Sequence, residues 1–360
     1  MADKDNFDIQ LTSKSRIDEV DFGDPGFGTN FSDHMLSIVY ENNSWQQPKI
    51  VEFDRFDISP SLSTLHYGQS VFEGMKAFYA GDGEINLFRI DDHYKRFVNS
   101  CKRLCIPEPD YNTFTDGIKK LIQLDYQWIP KKTGQALYIR PFIFATDEIL
   151  SVRVSDTYQF FVITSPVGAY YKEGFNPVSL ITEQKYVRAV GGGSGEAKTA
   201  ANYATTLLPA KKAKDKGFTQ VLWLDAHEKK YIEEVGTMNI FFMIDDVLIT
   251  PELGGTILPG ITRKSIIQIA KDRGITVEER RISIDEVFEA AEDGTLQEAF
   301  GSGTAAVVSP VGKIQHGDDS ITINNNEVGP MVRRFFDAIT DIQYGRDEDK
   351  YNWIDTVTIS

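Results

Sequence analysis

The chain has 360 residues, a formal net charge of −15, and 41% hydrophobic and 25% charged residues. This length suggests two domains with a sizeable core. The acidic balance, without a long basic run, argues against nucleic acid or an anionic membrane as a partner. The N-terminus lacks a basic and apolar leader, and no apolar run approaches the roughly 18 residues that span a bilayer, so we expect a cytoplasmic protein.

Cysteine and histidine usage argues against metal and disulfide sites. Only two cysteines occur, Cys101 and Cys105, and their spacing predicts two buried thiols on one helical face. The five histidines are scattered without the spacing of zinc ligands. We therefore expect no metal centre and no disulfide framework.

The first half of the chain predicts short strands separated by helices. Residues 1–30 are polar and interrupted by Gly and Pro, which indicates an irregular arm. Strands are predicted at 35–40, 84–88, 136–140 and 158–164, and helices at 91–104 and 113–124. Two prolines and two glycines within residues 165–177 indicate an interdomain linker.

The second half also mixes strands with helices. Strands are predicted at 219–224 and 239–244, and helices at 262–273 and 285–291. This mixture predicts an α+β fold rather than a regular βαβ succession. The expected organisation is an N-terminal domain at 1–164, the linker at 165–177 and a C-terminal domain at 178–360.

One lysine stands in unusual surroundings. Lys198 follows the run Gly191-Gly-Gly-Ser-Gly-Glu-Ala, so residues with little side chain precede its amine. A covalent aldehyde cofactor needs such room and a poorly solvated amine. An ordinary exposed lysine in a flexible loop is the alternative, and the local sequence does not decide between the two.

Two glycine-rich runs fall short of nucleotide-binding loops. Glu196 and Ala197 separate Gly195 from Lys198, so this run is not a P-loop. A β-branched pair and a proline follow Gly301-Ser-Gly-Thr-Ala-Ala306, where a dinucleotide site needs a helix. The small-residue turn predicted at 301–305 would instead bind an anion through its amides.

A second anion site is predicted where the helix at 262–273 begins. Pro259-Gly260 predicts a turn, and Thr262 is a candidate helix cap. The amides of Ile261 and Thr262 would then face a phosphate. An ordinary capped helix is the alternative.

Paired acids precede the strand predicted at 239–244. Alternation directs Glu233 and Glu234 to opposite faces. An inward carboxylate would need a cationic partner, such as a protonated ring nitrogen. The residues alone do not choose between the two acids, and the alternative is that both are solvated.

In this order the motifs resemble the branched-chain amino acid aminotransferases, which are pyridoxal-phosphate enzymes of fold type IV. The resemblance is carried by the runs at 31–36, 65–78, 138–141, 165–168, 185–189, 202–203, 234–239, 258–263, 301–305 and 340–346, together with Lys198. It implies a two-domain α+β fold, with a smaller N-terminal and a larger C-terminal domain and the active site between them. It also implies a homodimer.

The resemblance implies roles at the cofactor, pyridoxal 5'-phosphate. Lys198 would form the Schiff base and carry the proton at the substrate Cα. Glu234, rather than Glu233, would pair with the pyridine nitrogen, and Tyr203 would donate to the phenolic oxygen. The remaining implied cofactor contacts are Arg96, Ile261, Thr262 and Thr304 at the phosphate, and Thr237.

The implied reaction is ping-pong transamination between L-leucine, L-isoleucine or L-valine and 2-oxoglutarate. One pocket must hold an alkyl chain and a carboxylate in turn, so an arginine beside aromatic rings is expected. The implied substrate contacts are Tyr67, Phe72 and Tyr170 at the alkyl chain, Thr304 and Ala305 at the α-carboxylate, and Arg140 with Tyr138 at the distal carboxylate of glutamate.

Some members of this family carry a CxxC redox pair after the Gly-Ser-Gly-Thr turn. This chain has Ala306-Val-Val-Ser309 there, so we expect no thiol regulation at this place. The alternatives are a D-amino acid transaminase or aminodeoxychorismate lyase of the same fold, and an inactive ligand-binding descendant. The runs at 31–36 and 138–140 favour the branched-chain family, and the intact cofactor residues argue against an inactive protein.

Overall fold

The computed structural model describes residues 7–168 and 175–359. The strands are β1 Asp8–Ile9, β2 His34–Glu41, β3 Ser44–Trp45, β4 Lys49–Glu52, β5 Ser70–Phe72, β6 Met75–Gly81, β7 Glu84–Phe88, β8 Ala136–Ala145, β9 Tyr158–Val167, β10 Val178–Glu183, β11 Gln220–Leu224, β12 Ile232–Val235, β13 Asn239–Ile244, β14 Val247–Thr250, β15 Thr276–Glu279, β16 Leu296–Gly303, β17 Val307–His316, β18 Asp319–Thr322 and β19 Ile354–Thr358. The helices are α1 Ser63–Tyr67, α2 Ile90–Arg103, α3 Tyr111–Leu124, α4 Ala200–Ala204, α5 Leu207–Asp215, α6 Ile261–Asp272, α7 Ile284–Glu292 and α8 Pro330–Gln343, with 3-10 turns at Ile17–Glu19, Tyr126–Trp128 and Asn324–Asn326.

The chain divides into two compact units, each with its own sheet. The first unit comprises Met1–Tyr170, Ala197–Ala200 and Ile342–Ser360. Its sheet has the order β1-β4-β2-β9-β8-β6-β7-β19, with β3 paired to β2 and β5 to β8. Apart from the parallel pair of β1 and β4, its pairings are antiparallel.

Strand register places several side chains of the first unit on one face. On β8, Tyr138 pairs with Lys76 and Phe142 pairs with Phe72. Side chains two positions apart on a strand share a face, so Arg140 lies on this face with all four. The register therefore gathers aromatic and cationic side chains from three strands.

Helices α2 and α3 cover the core of the first unit. Acidic residues begin α2 and basic residues end it, which suits the helix dipole. Its buried face combines apolar Phe97 and Cys101 with polar His93, Arg96 and Ser100. Because buried polar groups need hydrogen-bond partners, these three polar side chains indicate a buried hydrogen-bond network.

The second unit comprises Tyr171–Glu196 and Ala201–Asp341. Its sheet has the order β12-β11-β10-β17-β16-β13-β14-β15, with β18 paired to β17. Parallel pairs (β10 with β11, β10 with β17, and β14 with β15) occur beside antiparallel hairpins. The prediction of an α+β fold is confirmed by these two sheets and their helices.

The predicted elements agree closely with the observed ones. Each of the four predicted helices is present with ends within two residues, as α2, α3, α6 and α7. The six predicted strands are present as β2, β7, β8, β9, β11 and β13, and β8 and β9 run several residues further. Within the described ranges, no helix has the length and apolar character needed to cross a membrane.

Three local predictions are wrong. Cys105 is exposed, because α2 ends at Arg103 and only Cys101 lies on its buried face. The small-residue turn covers residues 304–306, since β16 continues through Gly303. Thr262 lies inside the first turn of α6 rather than at the cap position, which Gly260 occupies.

Candidate active site

Lys198 belongs to the first unit, where its backbone is held on both sides. Its N–H donates to Ser100 Oγ at 2.9 Å, and its carbonyl oxygen accepts from the Phe72 N–H at 3.0 Å. Its Nζ lies 4.8 Å from the centroid of the Phe72 ring. The half-buried amine is therefore fixed beside an aromatic surface rather than extended into solvent.

Arg140 lies against the same ring. Its Cζ is 4.8 Å from the Phe72 centroid and 5.3 Å from that of Tyr138, and its Nη2 donates to the Tyr138 hydroxyl at 3.1 Å. Its buried Nε has no hydrogen-bond partner among the described residues. A Cβ at Gly74 would collide with the Tyr138 hydroxyl, so glycine is required there.

A buried carboxylate that the sequence analysis missed, Glu73, organises Arg96. Glu73 Oε1 accepts from Arg96 Nε at 2.6 Å, and Oε2 accepts from Arg96 Nη2 at 2.9 Å and from His93 Nδ1 at 2.8 Å. The spacing of His93 and Arg96, three positions apart on α2, was the available signal, because such residues share a helical face. Their common partner, 20 positions away from His93, had no local signal.

The first unit also contains a buried lysine, Lys76. Lys76 is paired with Tyr138 across β6 and β8, and burial lowers the pKa of its ammonium group to about 8. The available sequence signal was a lysine within the apolar run at 75–78, where side chains are expected to be buried. Lys76 is therefore, besides Lys198, an amine whose reaction with an aldehyde has to be tested.

In the second unit, Glu234 is the acid that lines a pocket. The pocket is formed by Arg188, Asn202, Tyr203, Thr206, Glu234, Gly236, Thr237 and Leu258. Glu234 is 3% exposed, and its Oε2 lies 2.8 Å from Arg188 Nε, while Oε1 accepts from the Leu258 N–H at 2.8 Å. Arginine beside a carboxylate favours the ionised form. Arg188 belongs to the run at 185–189, but no local signal indicated its pairing with Glu234, which follows it by 46 positions.

Glu233 faces a different partner. Its Oε1 accepts from Thr256 Oγ1 at 2.6 Å, and burial raises the pKa of its carboxyl group. The alternative that both acids are solvated is therefore wrong, because both are buried. Opposite orientation of adjacent residues on β12 explains why only Glu234 faces the pocket.

The two predicted anion sites also belong to the second unit. Ile261 and Thr262 are buried in the first turn of α6, and no side chain in the described part of the chain caps this helix. The first amides of a helix lack intrahelical acceptors, so this end can bind an anion. Thr304 and Ala305 form the half-buried turn between β16 and β17.

One predicted aromatic contact, Tyr67, is not brought to these clusters. Tyr67 ends α1 with 43% of its surface exposed, and its ring neighbour is His66. Tyr170 lies outside the described residues. Two glycines before Lys198 are required by the backbone conformation. Gly192 has φ of 78°, and a Cβ at Gly195 would collide with Thr256.

Comparison with known proteins places this chain in a family. The family described as amino-transferase class IV matches residues 70–314. A probable branched-chain-amino-acid aminotransferase of Staphylococcus epidermidis is 50% identical over 355 residues, covering 98% of each chain. Branched-chain-amino-acid aminotransferase 2 of Bacillus subtilis is 47% identical over 351 residues, covering 97% of this chain and 96% of the relative.

A solved structure agrees with these relatives. The branched-chain amino acid aminotransferase of T.th., crystallised with pyridoxamine 5'-phosphate, matches with a TM-score of 0.72 and 29% identity. The match covers 88% of this chain and 97% of that one. Since both the sequence and the fold agree over nearly the whole length, the chain belongs to the branched-chain amino acid aminotransferase family of class IV aminotransferases.

Proposed function

We propose that this protein transfers amino groups reversibly between L-leucine, L-isoleucine or L-valine and 2-oxoglutarate, with pyridoxal 5'-phosphate bound at Lys198. The observation that carries this proposal is the arrangement of Lys198 and Arg140 against the Phe72 ring. An amine, an apolar wall and a cation suit a reaction in which one substrate is aliphatic and the other carries a second carboxylate. Relatives that carry the branched-chain name favour this reaction over the D-amino acid and lyase alternatives.

The residues present fit the cofactor. In the second unit, buried Glu234 lines a pocket with Tyr203 and Thr237, which suits a pyridine nitrogen and a phenolic oxygen. Also in the second unit, the uncapped start of α6 at Ile261 and Thr262 and the Thr304 turn suit a phosphate dianion. In the first unit, the guanidinium group of Arg96 is of a kind that binds phosphate. When bound, the cofactor supplies an aldehyde that reacts with amines and a pyridinium ring that withdraws electrons from the substrate Cα.

Each side chain then has a defined task. Lys198 would remove the proton from the substrate Cα and return it, and the contacts of its backbone with Ser100 and Phe72 leave only its side chain to move. Glu234 would hold a proton at the ring nitrogen, and Arg188 with the Leu258 N–H keeps this carboxylate in place. The Thr304 and Ala305 amides would bind the α-carboxylate, and Tyr67, Phe72 and Tyr170 would contact the alkyl chain.

The covalent anchor is tested by colour and by mapping. The purified protein with pyridoxal 5'-phosphate is expected to absorb visible light, and Lys198→Ala should lose this band because its amine is gone. Lys76→Ala is the matched control, since Lys76 is a buried amine of the same unit and its loss should leave the band in place. Borohydride reduction followed by peptide mapping should label residue 198.

Two results would contradict the proposal. A colourless protein that binds no pyridoxal phosphate would overturn the enzyme assignment, and a label on Lys76 would overturn the choice of lysine. Turnover of L-leucine is expected to exceed that of D-alanine by at least about a hundredfold. When an amino acid presents its Cα–H to Lys198 and its side chain to the Phe72 ring, its carboxylate points in different directions in the two enantiomers, so only one enantiomer fits a fixed carboxylate site. The opposite preference would favour a D-amino acid transaminase.

A further inference from the structure

Glu73 makes four short contacts in the interior of the first unit. Two come from the Nε–Nη2 edge of Arg96, and one comes from His93 Nδ1. The fourth is the Gly74 N–H, at 3.0 Å from Oε2. Glu73 is completely buried, and Arg96 and His93 are 7% and 1% exposed. These four hydrogen bonds therefore hold the Glu73 carboxylate in one orientation.

The carboxylate is tied to the sheet, whereas its partners lie on a helix. The Glu73 N–H donates to the Pro141 carbonyl oxygen of β8 at 2.8 Å. His93 and Arg96 both project from the buried face of α2. The same helix holds Lys198, because Ser100 Oγ donates to the Arg96 carbonyl oxygen at 3.0 Å and accepts from the Lys198 N–H.

The neighbouring charges shift the pKa values of both Glu73 and His93. Burial alone would raise the pKa of Glu73, but the Arg96 guanidinium and His93 outweigh it and hold this pKa well below its ordinary value. Burial lowers the pKa of His93, and the charges of Arg96 and Lys198 act in the same direction. A neutral His93 therefore donates to an ionised Glu73 close to the Lys198 amine.

A buried ion pair seldom adds net stability compared with an apolar packing of similar volume. In this cluster the ion pair instead restricts the orientation of the Arg96 side chain. An arginine side chain has many rotamers, and a carboxylate that takes its Nε–Nη2 edge fixes the plane of the guanidinium group. A ligand that binds the edge turned away from Glu73 then avoids the entropy cost of ordering this side chain.

We propose that Glu73 is a positioning residue, which orients the outer edge of Arg96 toward the phosphate of the cofactor. His93 restrains the carboxylate from its other side. This inference rests on the proposed function, because it takes Arg96 as a phosphate ligand. It adds a residue that acts on cofactor affinity without touching the cofactor.

The test compares pyridoxal phosphate with pyridoxal, which lacks the phosphate. Titration of the cofactor-free full-length chain, followed by absorbance, should show that Glu73→Gln weakens pyridoxal phosphate binding at least about tenfold, as expected when a charge-assisted hydrogen bond is disturbed. Pyridoxal binding should change less than about twofold, because no phosphate contact is involved. Glu73→Asp keeps the charge but withdraws it by one methylene group, and it should show the same selective loss.

The matched control is Glu298→Gln. Glu298 is also a buried carboxylate, and it accepts from the Met331 and Val332 N–H groups in the second unit. Its substitution should lower the thermal unfolding midpoint without changing the ratio of the two affinities. A ratio that changes as much for this variant as for Glu73→Gln would overturn the proposal.

The remaining outcomes are also decisive. Equal weakening of both ligands, or no weakening, would overturn the positioning role while the proposed function stands. Failure of both Glu73 variants to accumulate as folded protein would show that the residue is structural and would also overturn it. Wild-type protein that binds neither compound would overturn the proposed function itself.

Discussion

At the scale of single residues, the chemistry depends on polar side chains held in apolar surroundings. Glu73 and Glu234 are both buried carboxylates, and each is paired with an arginine. Arg140 differs, because in the described residues its neighbours are aromatic rings and a tyrosine hydroxyl rather than a carboxylate. A half-buried cation without an acidic partner is poised to bind an acidic ligand.

Arg140→Gln is therefore expected to affect the two substrate classes differently. The variant should lower kcat/KM for glutamate about tenfold to a hundredfold more than for leucine, because only glutamate loses a charged hydrogen bond. Single-turnover rates of the bound cofactor with each amino acid provide the measurement. Arg153→Gln is the control, since Arg153 is paired with Asp147 and Asp156 on an exposed loop. Equal losses with both amino acids would contradict the assigned role.

At the scale of elements, the turn between β11 and β12 shows how one side chain replaces regular hydrogen bonding. Asp225 accepts from the backbone N–H groups of His227, Glu228, Lys230 and Tyr231, at distances of 2.8–3.0 Å. Burial would raise the pKa of Asp225, but these N–H groups outweigh it and lower the pKa to about 2. The turn leads directly into β12, which carries Glu234.

Asp225→Asn is expected to destabilise the fold by roughly 2 kcal/mol at neutral pH, because the charged acceptor is lost. A lowered folded-state pKa contributes stability that is present above the ordinary value of 3.8 and is lost as the pH falls toward about 2. The difference in thermal unfolding midpoint between wild type and variant should therefore shrink over this range. Asp215→Asn, on an exposed pair with Lys211, should change the midpoint little at any pH. A difference that does not depend on pH would contradict the prediction.

At the scale of the whole molecule, the two units have separate cores and separate sheets. The first unit nevertheless exposes apolar side chains on the segment between β8 and β9, where Leu150, Val152 and Val154 are 67%, 82% and 53% exposed. Covering exposed apolar side chains in an interface is favourable. We expect the homodimer that the family resemblance implies to cover these side chains.

The expected mass in solution is twice that of the 40.6 kDa chain. Apolar association depends weakly on ionic strength, so the dimer should persist at high salt. Sedimentation equilibrium over a dilution series measures this directly. A species with the mass of a single chain at micromolar concentration would contradict the prediction.

The sequence by itself determined the elements and the family. Periodicity is a local property, so α2, α3, α6 and α7 could be predicted to within two residues. The ordered motifs identified the family, and they pointed to Glu234 over Glu233. Burial was less predictable: Cys105 was expected to be buried on the same helical face as Cys101, but it follows the end of α2 at Arg103 and is exposed.

Only the tertiary structure decided which polar groups meet. Glu73 and Arg96 are 23 positions apart, and Arg188 and Glu234 are 46 apart. Such pairs depend on strand register and on how a helix lies on its sheet, and no local pattern records either. A buried charge must find a partner wherever the fold provides one, and this requirement selected the residues that hold the site together.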